Sequence, residues 1–334
     1  AVDILVKKNG KWKAYEVKSS TSVKDVNLLD AALQYHVITN SGIDLADIFI
    51  VHLNNEYVRK KNIVIEKLFS IVSVKNEALE NQSFVIEKIS ELLDLVKSKK
   101  EPKQDIGPHC SDPYGCDFMP HCWKHVPEPS VFDITGLRSN KKFELYESGI
   151  LRIEDLPEDT SLSDYQQIQI NGYLKGKKNI DKDNLREFLK DFTYPLYFMD
   201  FETFQPAVPL YPNSRPYQQI PFQYSLHYLK DKKSKLTHSE FLAEAKGDPR
   251  IPFIENLLEA TSSKGKIVTY NMGFERMVLN SIANDFPQYA SDIEDRCERL
   301  LDLMPPFRKG WYYTPEMDGS YSIKQVLPAL VPEL

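Results

Sequence analysis

The sequence predicts an α/β protein with two domains joined by a helical connector. Its 334 residues exceed the usual length of one domain, and a hydrophobic content of 42% is sufficient for ordinary cores. Short runs of apolar residues at 196–199 and 266–270 predict buried strands, and segments with apolar residues at helical spacing lie between such runs. In chain order, these patterns divide the sequence into residues 1–126, 127–193 and 194–334.

The bulk properties exclude several classes of protein. No apolar run approaches the ~18 residues needed to cross a bilayer, and no signal-peptide pattern is visible, so we expect no membrane partner. A net charge of −6 argues against a general nucleic-acid coat protein, but not against a nuclease whose acids are neutralised by metal ions. The four cysteines do not form a disulfide framework, which favours a reducing, cytoplasmic setting.

The predicted strand within 194–203 carries two acids at its end. Because side chains alternate across a strand, Asp200 and Glu202 share one face, and Phe201 turns towards apolar packing. Neighbouring carboxylates repel each other unless a cation lies between them, so the pair predicts a site for Mg²⁺ or Mn²⁺. The alternative is a strand end whose acids simply reach water.

A second acidic motif follows about seventy residues later. The strand 266–270 leads to Asn271, a good N-cap residue for a helix that runs to about residue 284, and Glu275 stands one turn further on the same face. Together the two motifs resemble those of the DnaQ-like proofreading exonucleases, whose fold is RNase H-like. The resemblance implies that Asp200, Glu202 and Glu275 bind two metal ions that activate water for 3′→5′ phosphodiester hydrolysis.

This segment departs from the family pattern in two respects. The family's second motif ends in Asp instead of Glu, and its third motif, a Tyr or His before a last Asp, is not visible before the chain stops. Residues 320–328 resemble the segment that precedes that motif, so we expect a C-terminal truncation, and we assign Asp302 a structural role. In the Pro-rich excursion after Thr203, the candidates for clamping a single-stranded end beside the metal site are Tyr211, Arg215 and Tyr217. A packed loop is the alternative.

The first eighteen residues predict a β-hairpin that carries a second acidic site. Apolar residues and Asp3 precede the turn Asn9-Gly10, and Glu16 and Lys18 then share one face of the second strand. Acids that bind a metal, beside a lysine that orients or deprotonates water and offsets phosphate charge, suit phosphodiester cleavage. A surface ion pair is the alternative. Because residue 1 already lies inside a predicted strand, we expect an N-terminal truncation as well.

Asp3 followed by Glu16-Val17-Lys18 resembles the PD-(D/E)XK nucleases. Gln34, on a helix predicted over 26–39, resembles the Gln motif of their RecB-like branch. The resemblance implies that Asp3 and Glu16 bind metal, that Lys18 is catalytic and that Gln34 supports the site. A helical stripe between residues 76 and 100 is expected to form core; its members are Phe84, Ile86, Ile89, Leu92, Leu93 and Val96.

Three cysteines lie at even spacing in a Gly- and Pro-rich loop. Cys110, Cys116 and Cys122 are soft ligands that suit a soft metal. The loop closely resembles the C-terminal cysteine triad of RecB-like nucleases that carry a [4Fe–4S] cluster, whose fourth cysteine precedes the nuclease core. A zinc site completed by His109 or His125, and unligated thiols, stay open as alternatives.

The whole arrangement resembles an uncharacterised bacterial family that joins a RecB-like, restriction-endonuclease-type core with an iron–sulfur cysteine triad to a DnaQ-like exonuclease domain of mixed-sheet RNase H fold. The resemblance implies a metal-dependent 3′→5′ exonuclease acting on DNA that is single-stranded or has a free end, in repair, recombination or defence. RNA is an alternative substrate. A further alternative is a nucleic-acid-binding or assembly module in which one or both nuclease sites have lost activity.

Overall fold

The computed structural model of the chain describes residues 2–261 and 264–333. The protein is of the α/β class, with helices set against sheets that combine parallel and antiparallel strands. It forms two compact units: the first contains the described residues up to Gln104 together with Phe204–Gln219, and the second contains Asp105–Thr203 and the described residues from Ile220 onward. The cysteine loop, assigned from sequence to the first domain, therefore belongs to the second unit.

None of the helices in the described ranges combines the length and the apolarity that a membrane crossing requires.

The first unit is built from strands and helices that alternate along the first hundred residues. They are β1 Ile4–Lys8, β2 Lys11–Val17, α1 Asp25–Asn40, β3 Leu45–Leu53, α2 Ile65–Leu68, β4 Phe69–Ser73, α3 Lys75–Glu80 and α4 Gln82–Lys97. In the described residues, the four strands form one sheet in the order β1-β2-β3-β4.

The first sheet follows from two local features of the sequence. Asn9 and Gly10 both adopt positive φ angles, 53° and 81°, which is the geometry that a tight hairpin between β1 and β2 requires. β3 then runs parallel to β2, because α1 carries the chain back along the sheet. Ala31 and Ala32 of α1 are fully buried against Ile48 and Ile50 of β3, so this helix covers the core face of the sheet.

The prediction that the stripe between residues 76 and 100 forms core is wrong for most of its members. Val85 is buried and Ile89 packs against the first core. The remaining members are exposed, up to 81% for Val96; they are Phe84, Ile86, Leu92, Leu93 and Val96. The reason is that α4 meets the core only through its first half, so its apolar pattern continues beyond the elements that could cover it among the described residues.

The second unit contains the remaining helices and strands. They are α5 Met119–Cys122, α6 Ser139–Glu147, α7 Asp164–Lys175, β5 Asn179–Ile180, α8 Lys182–Leu189, β6 Leu196–Phe204, β7 Ile220–Leu229, β8 Thr237–Leu242, α9 Arg250–Ala260, β9 Lys266–Thr269, α10 Gly273–Asp285, α11 Ala290–Glu298, β10 Leu300–Asp302, α12 Pro305–Arg308, β11 Tyr312–Tyr313 and α13 Ile323–Leu330.

The main sheet of the second unit has the order β10-β9-β6-β7-β8 in the described residues. β9 is parallel to both β6 and β10, while β7 and β8 are antiparallel. One face of this sheet packs on helices α9, α10 and α11 to form the largest buried cluster. β6, β9 and β10 therefore end at the same edge of the sheet, the position at which open α/β sheets commonly bind ligands.

Candidate carboxylate sites for a divalent metal

The first acidic pair lies on β6 as the alternation of its sequence predicts. Met199 and Phe201 are buried in the core, whereas Asp200 and Glu202 are exposed on the opposite face of the strand. The carboxylates are thus held by a strand whose other face is anchored in apolar packing. Their oxygen atoms are accessible to a cation and to a substrate.

The turn between β9 and α10 differs from the prediction. Asn271 is not the N-cap of the helix; that position is Met272, and Asn271 adopts a left-handed conformation with φ of 67°. The physical reason is a long-range contact: the backbone N–H of Asn271 donates a hydrogen bond of 2.8 Å to Oδ1 of Asp302. This contact sets the direction in which α10 starts.

Glu275, in the first turn of α10, is a buried acid. Its side chain is only 3% exposed, and its Oε2 atom has no hydrogen-bond partner among the described residues. Burial, as the largest cause, and the negative charges of Asp200 and Asp302 together raise the pKa of Glu275 to about 7, against a backbone hydrogen bond that lowers it. The structure therefore brings three acids into one electrostatic neighbourhood.

Asp302 is the member of this group to which the sequence analysis gave only a structural role. It ends β10, where it is paired in register with Thr269, the last residue of β9. Its Oδ1 atom accepts the N–H of Asn271 and, at 2.9 Å, that of Met304. These bonds fit a structural role, while the charge of Asp302 acts on Glu275. The sequence did contain a signal for this residue, because an acid at the end of a predicted parallel strand lies where such sheets commonly bind ligands.

A cleft of about 330 Å³ lies on the exposed face of β6 in the second unit. It is lined by Asp200 together with Ser225 and His227 of β7, and by Tyr270 and Ile323. Burial and the nearby Asp302 raise the pKa of Tyr270 to about 12, and its hydroxyl donates a 2.6 Å hydrogen bond to the carbonyl of Tyr321. The sequence analysis did not single out Ser225 or His227 as site residues.

The acids of the first unit surround a lysine. Nζ of Lys18 lies 2.9 Å from Oε1 of Glu16 and also forms an ion pair with Asp30 of α1. Burial lowers the pKa of Lys18, but the hydrogen bonds and charges of Asp30 and Glu16 outweigh it, and the net pKa is raised. Lys18 is therefore held in its protonated form, which suits charge neutralisation and not proton abstraction.

The other two predicted residues of this site, Gln34 and Asp3, form hydrogen bonds with residues other than Lys18. Gln34 is buried and donates a 3.2 Å hydrogen bond to Asp30, so it contacts Lys18 only through that acid. Asp3 is exposed, and its Oδ2 atom accepts the N–H of Val17 at 2.8 Å. The sequence analysis missed Asp30, because its contact with Lys18 depends on how α1 lies across β2.

The Pro-rich segment after β6 belongs to the first unit. The hydroxyl of Tyr217 is 2.7 Å from that of Ser19, the neighbour of Lys18, and Nη1 of Arg59 donates a 2.9 Å hydrogen bond to the carbonyl of Pro209. From sequence, Tyr211, Arg215 and Tyr217 were expected beside the Asp200 site. The contacts of Tyr217 with Ser19 favour the alternative of a packed loop.

The three loop cysteines differ in their surroundings. Cys110 is buried and Cys122 is half-buried in the same apolar cluster, whereas Cys116 is exposed. The candidate zinc ligand His125 instead contacts the hydroxyl of Tyr146 at 2.9 Å. These contacts provide no positive support for either the cluster or the zinc site.

Across residues 2–261 and 264–333, no group of three or more His, Cys, Asp or Glu side chains is arranged to hold a metal ion. In the second unit, however, the unpartnered Oε2 atom of Glu275 and the hard oxygen donors around it fit Mg²⁺ or Mn²⁺ better than a soft metal. The divalent cation, the [4Fe–4S] cluster and the zinc alternative all stay predictions.

Residues 197–322 match a family described as a domain of unknown function, DUF2779. The matched segment contains the acids at 200, 202, 275 and 302, together with the strands and the helix that position them. No curated protein and no solved structure matches the chain. The match assigns no activity to this segment.

Proposed function

We propose that this protein is a metal-dependent nuclease with a DnaQ-like 3′→5′ exonuclease site in the second unit and a RecB-like site in the first. The observation that carries the proposal is Glu275. A buried carboxylate with an unpartnered oxygen, near two further acids, destabilises the fold unless something compensates. A divalent cation that prefers oxygen ligands would supply that compensation.

The order of elements supports the assignment of each unit. In the second unit three strands are followed by alternating helices and strands, which is the order expected of an RNase H-like domain. In the first unit an acidic hairpin is followed by α1 and the parallel strand β3, the order in which the PD-(D/E)XK resemblance distributes Asp3, Glu16 and Gln34.

The residues of the second site have separate roles in this proposal. When bound, a divalent cation stabilises charge on the phosphate and lowers the pKa of water. Asp200 and Glu202 present exposed carboxylates on one face of β6 as ligands. Burial raises the pKa of Glu275 to about 7 in the metal-free protein, so a cation that binds there would replace a proton and favour the ionised carboxylate.

The first site is organised around a fixed positive charge. Glu16 and Asp3 are the candidate ligands, and Lys18 is held protonated beside Glu16, where it offsets the charge of a phosphate. Asp30 and Gln34 position Lys18 from the helix above the strand. We propose DNA as the substrate; RNA would be distinguished by contacts to its 2′-hydroxyl groups.

The test is Mn²⁺-dependent degradation of a 5′-labelled single strand by the complete chain, two site variants and one control variant. Asp200→Asn keeps the size of the side chain but removes its charge, and it should reduce the ladder of products by ~100-fold or more. Lys18→Met should leave this ladder unchanged. Asp191→Asn, at an exposed position before β6, is the matched control. Full activity in Asp200→Asn would refute the assignment.

A nucleic-acid-binding module without hydrolytic activity is the second candidate. It is favoured by the finding that no described group of three potential ligands is arranged for a metal. The same assay separates the two candidates: a strand that is bound by the wild-type protein and both variants, without any ladder, would identify the binding module.

A further inference from the structure

The face of the second sheet that carries Asp200 also carries a pair of imidazoles. His227 of β7 and His238 of β8 are directly opposite each other in the antiparallel register. Their ring centroids are 4.5 Å apart, and the rings are tilted by 32°. The hydroxyl of Ser225 lies 3.1 Å from Nε2 of His238, so these three polar side chains form one contiguous cluster.

Two members of this cluster, Ser225 and His227, face the cleft and not the core. Tyr224 and Leu226, which alternate with Ser225 and His227 on β7, are both 1% exposed in the main apolar cluster. Ser225 and His227 must therefore lie on the opposite face, where they line the same cleft of about 330 Å³ as Asp200. β6 and β7 are neighbours in the sheet, which places Ser225 and His227 on the strand next to that acid.

The chemistry of the cluster is complementary to that of the acids. Imidazole N–H groups and a hydroxyl group are hydrogen-bond donors to phosphate oxygens, whereas the carboxylates nearby repel a phosphate. Thr269, which also lines the cleft, has a buried hydroxyl group without a partner among the described residues. An anionic ligand in this cleft would thus find donors on one side and the candidate cation ligands on the other.

We propose that Ser225, His227 and His238 form a binding subsite for the phosphate group of a nucleotide, next to Asp200. The subsite rests on the proposed nuclease function, because its ligand would be the phosphate of the terminal nucleotide or of the released nucleoside 5′-monophosphate. A cross-strand pair that only stabilises the sheet would need no ligand. The two roles differ in whether the imidazoles respond to a phosphate.

The test uses thymidine 5′-monophosphate as the probe and the complete, metal-free chain labelled with ¹⁵N-histidine. Adding the nucleotide should shift the imidazole signals of His227 and His238 and leave the signal of His36, in the first unit, in place. Thymidine, which lacks the phosphate, should shift none of them. His227→Gln should weaken nucleotide binding by about tenfold or more, the effect of one charged hydrogen bond. His36→Gln is the matched control.

Two results would overturn the subsite: imidazole signals that stay in place in the wild-type titration, or equal affinity of His227→Gln and the wild-type protein for the nucleotide. Neither result depends on hydrolysis. A nucleotide that binds through His227, in a protein that produces no ladder, would leave the subsite standing and remove the nuclease. A ladder of products from a protein whose nucleotide binding does not involve His227 would support the nuclease and remove the subsite.

Discussion

Glu275→Gln should stabilise the metal-free protein at pH values above about 4.5, and most strongly above pH 7. Burial and the neighbouring acids raise the pKa of Glu275 from 4.5 to about 7. Below pH 4.5 the group is protonated in both the folded and the unfolded state, so it contributes no pH-dependent penalty. Between these values the folded protein binds more protons than the unfolded chain, and stability falls as the pH rises. Above pH 7 the whole penalty is present.

The size of the effect follows from the shift. At about 1.36 kcal/mol per pKa unit, the shift corresponds to a penalty of about 3 kcal/mol above pH 7. Gln has the shape of a protonated Glu and carries no charge, so the variant should lack this penalty. The free energy of unfolding of Glu275→Gln, relative to the wild type, should therefore increase by about 3 kcal/mol between pH 4.5 and pH values above 7.

Urea unfolding followed by tryptophan fluorescence measures this difference. A Trp12→Phe background leaves only the tryptophans at 123 and 311, which belong to the second unit, so the transition of that unit is followed by itself. Glu298→Gln, an exposed change on α11, is the control and should keep the pH dependence of the wild type. Mn²⁺ above pH 7 should stabilise the wild type more than Glu275→Gln. Equal pH dependence in Glu275→Gln and the wild type would refute the reasoning.

Two further predictions concern the stability of the second unit. Arg250 is 1% exposed and pairs at 2.7 Å with both Asp248 and Asp285, so Arg250→Met should remove two ion pairs and cost about 3–5 kcal/mol in urea unfolding. An unchanged midpoint would show that these acids are stable without the arginine. Gly265 has φ of 89°, and a Cβ there would lie 2.1 Å from the carbonyl oxygen of Pro195, so Gly265→Ala should lower stability by at least about 1 kcal/mol. Thermal unfolding at the wild-type temperature would contradict this account.

The sequence by itself determined the parts of the fold that depend on local periodicity. The two-residue period of β6 decides that Asp200 and Glu202 share a face, because the buried Phe201 leaves them no other direction. The same argument applies to Glu16 and Lys18, whose side chains are in contact.

Tertiary structure decided which of these faces contact each other and which side chains they bury, and burial in turn raises the pKa of Glu275. Asp30 contacts Lys18 only because α1 lies across the hairpin, and the conformation of Asn271 depends on an acid 31 residues further along the chain. The apolar stripe of α4 is visible in the sequence, but whether a neighbour covers it is not. Local backbone geometry sets the direction of a side chain, whereas its burial, and hence the raised pKa of Glu275, depends on elements that are distant in sequence.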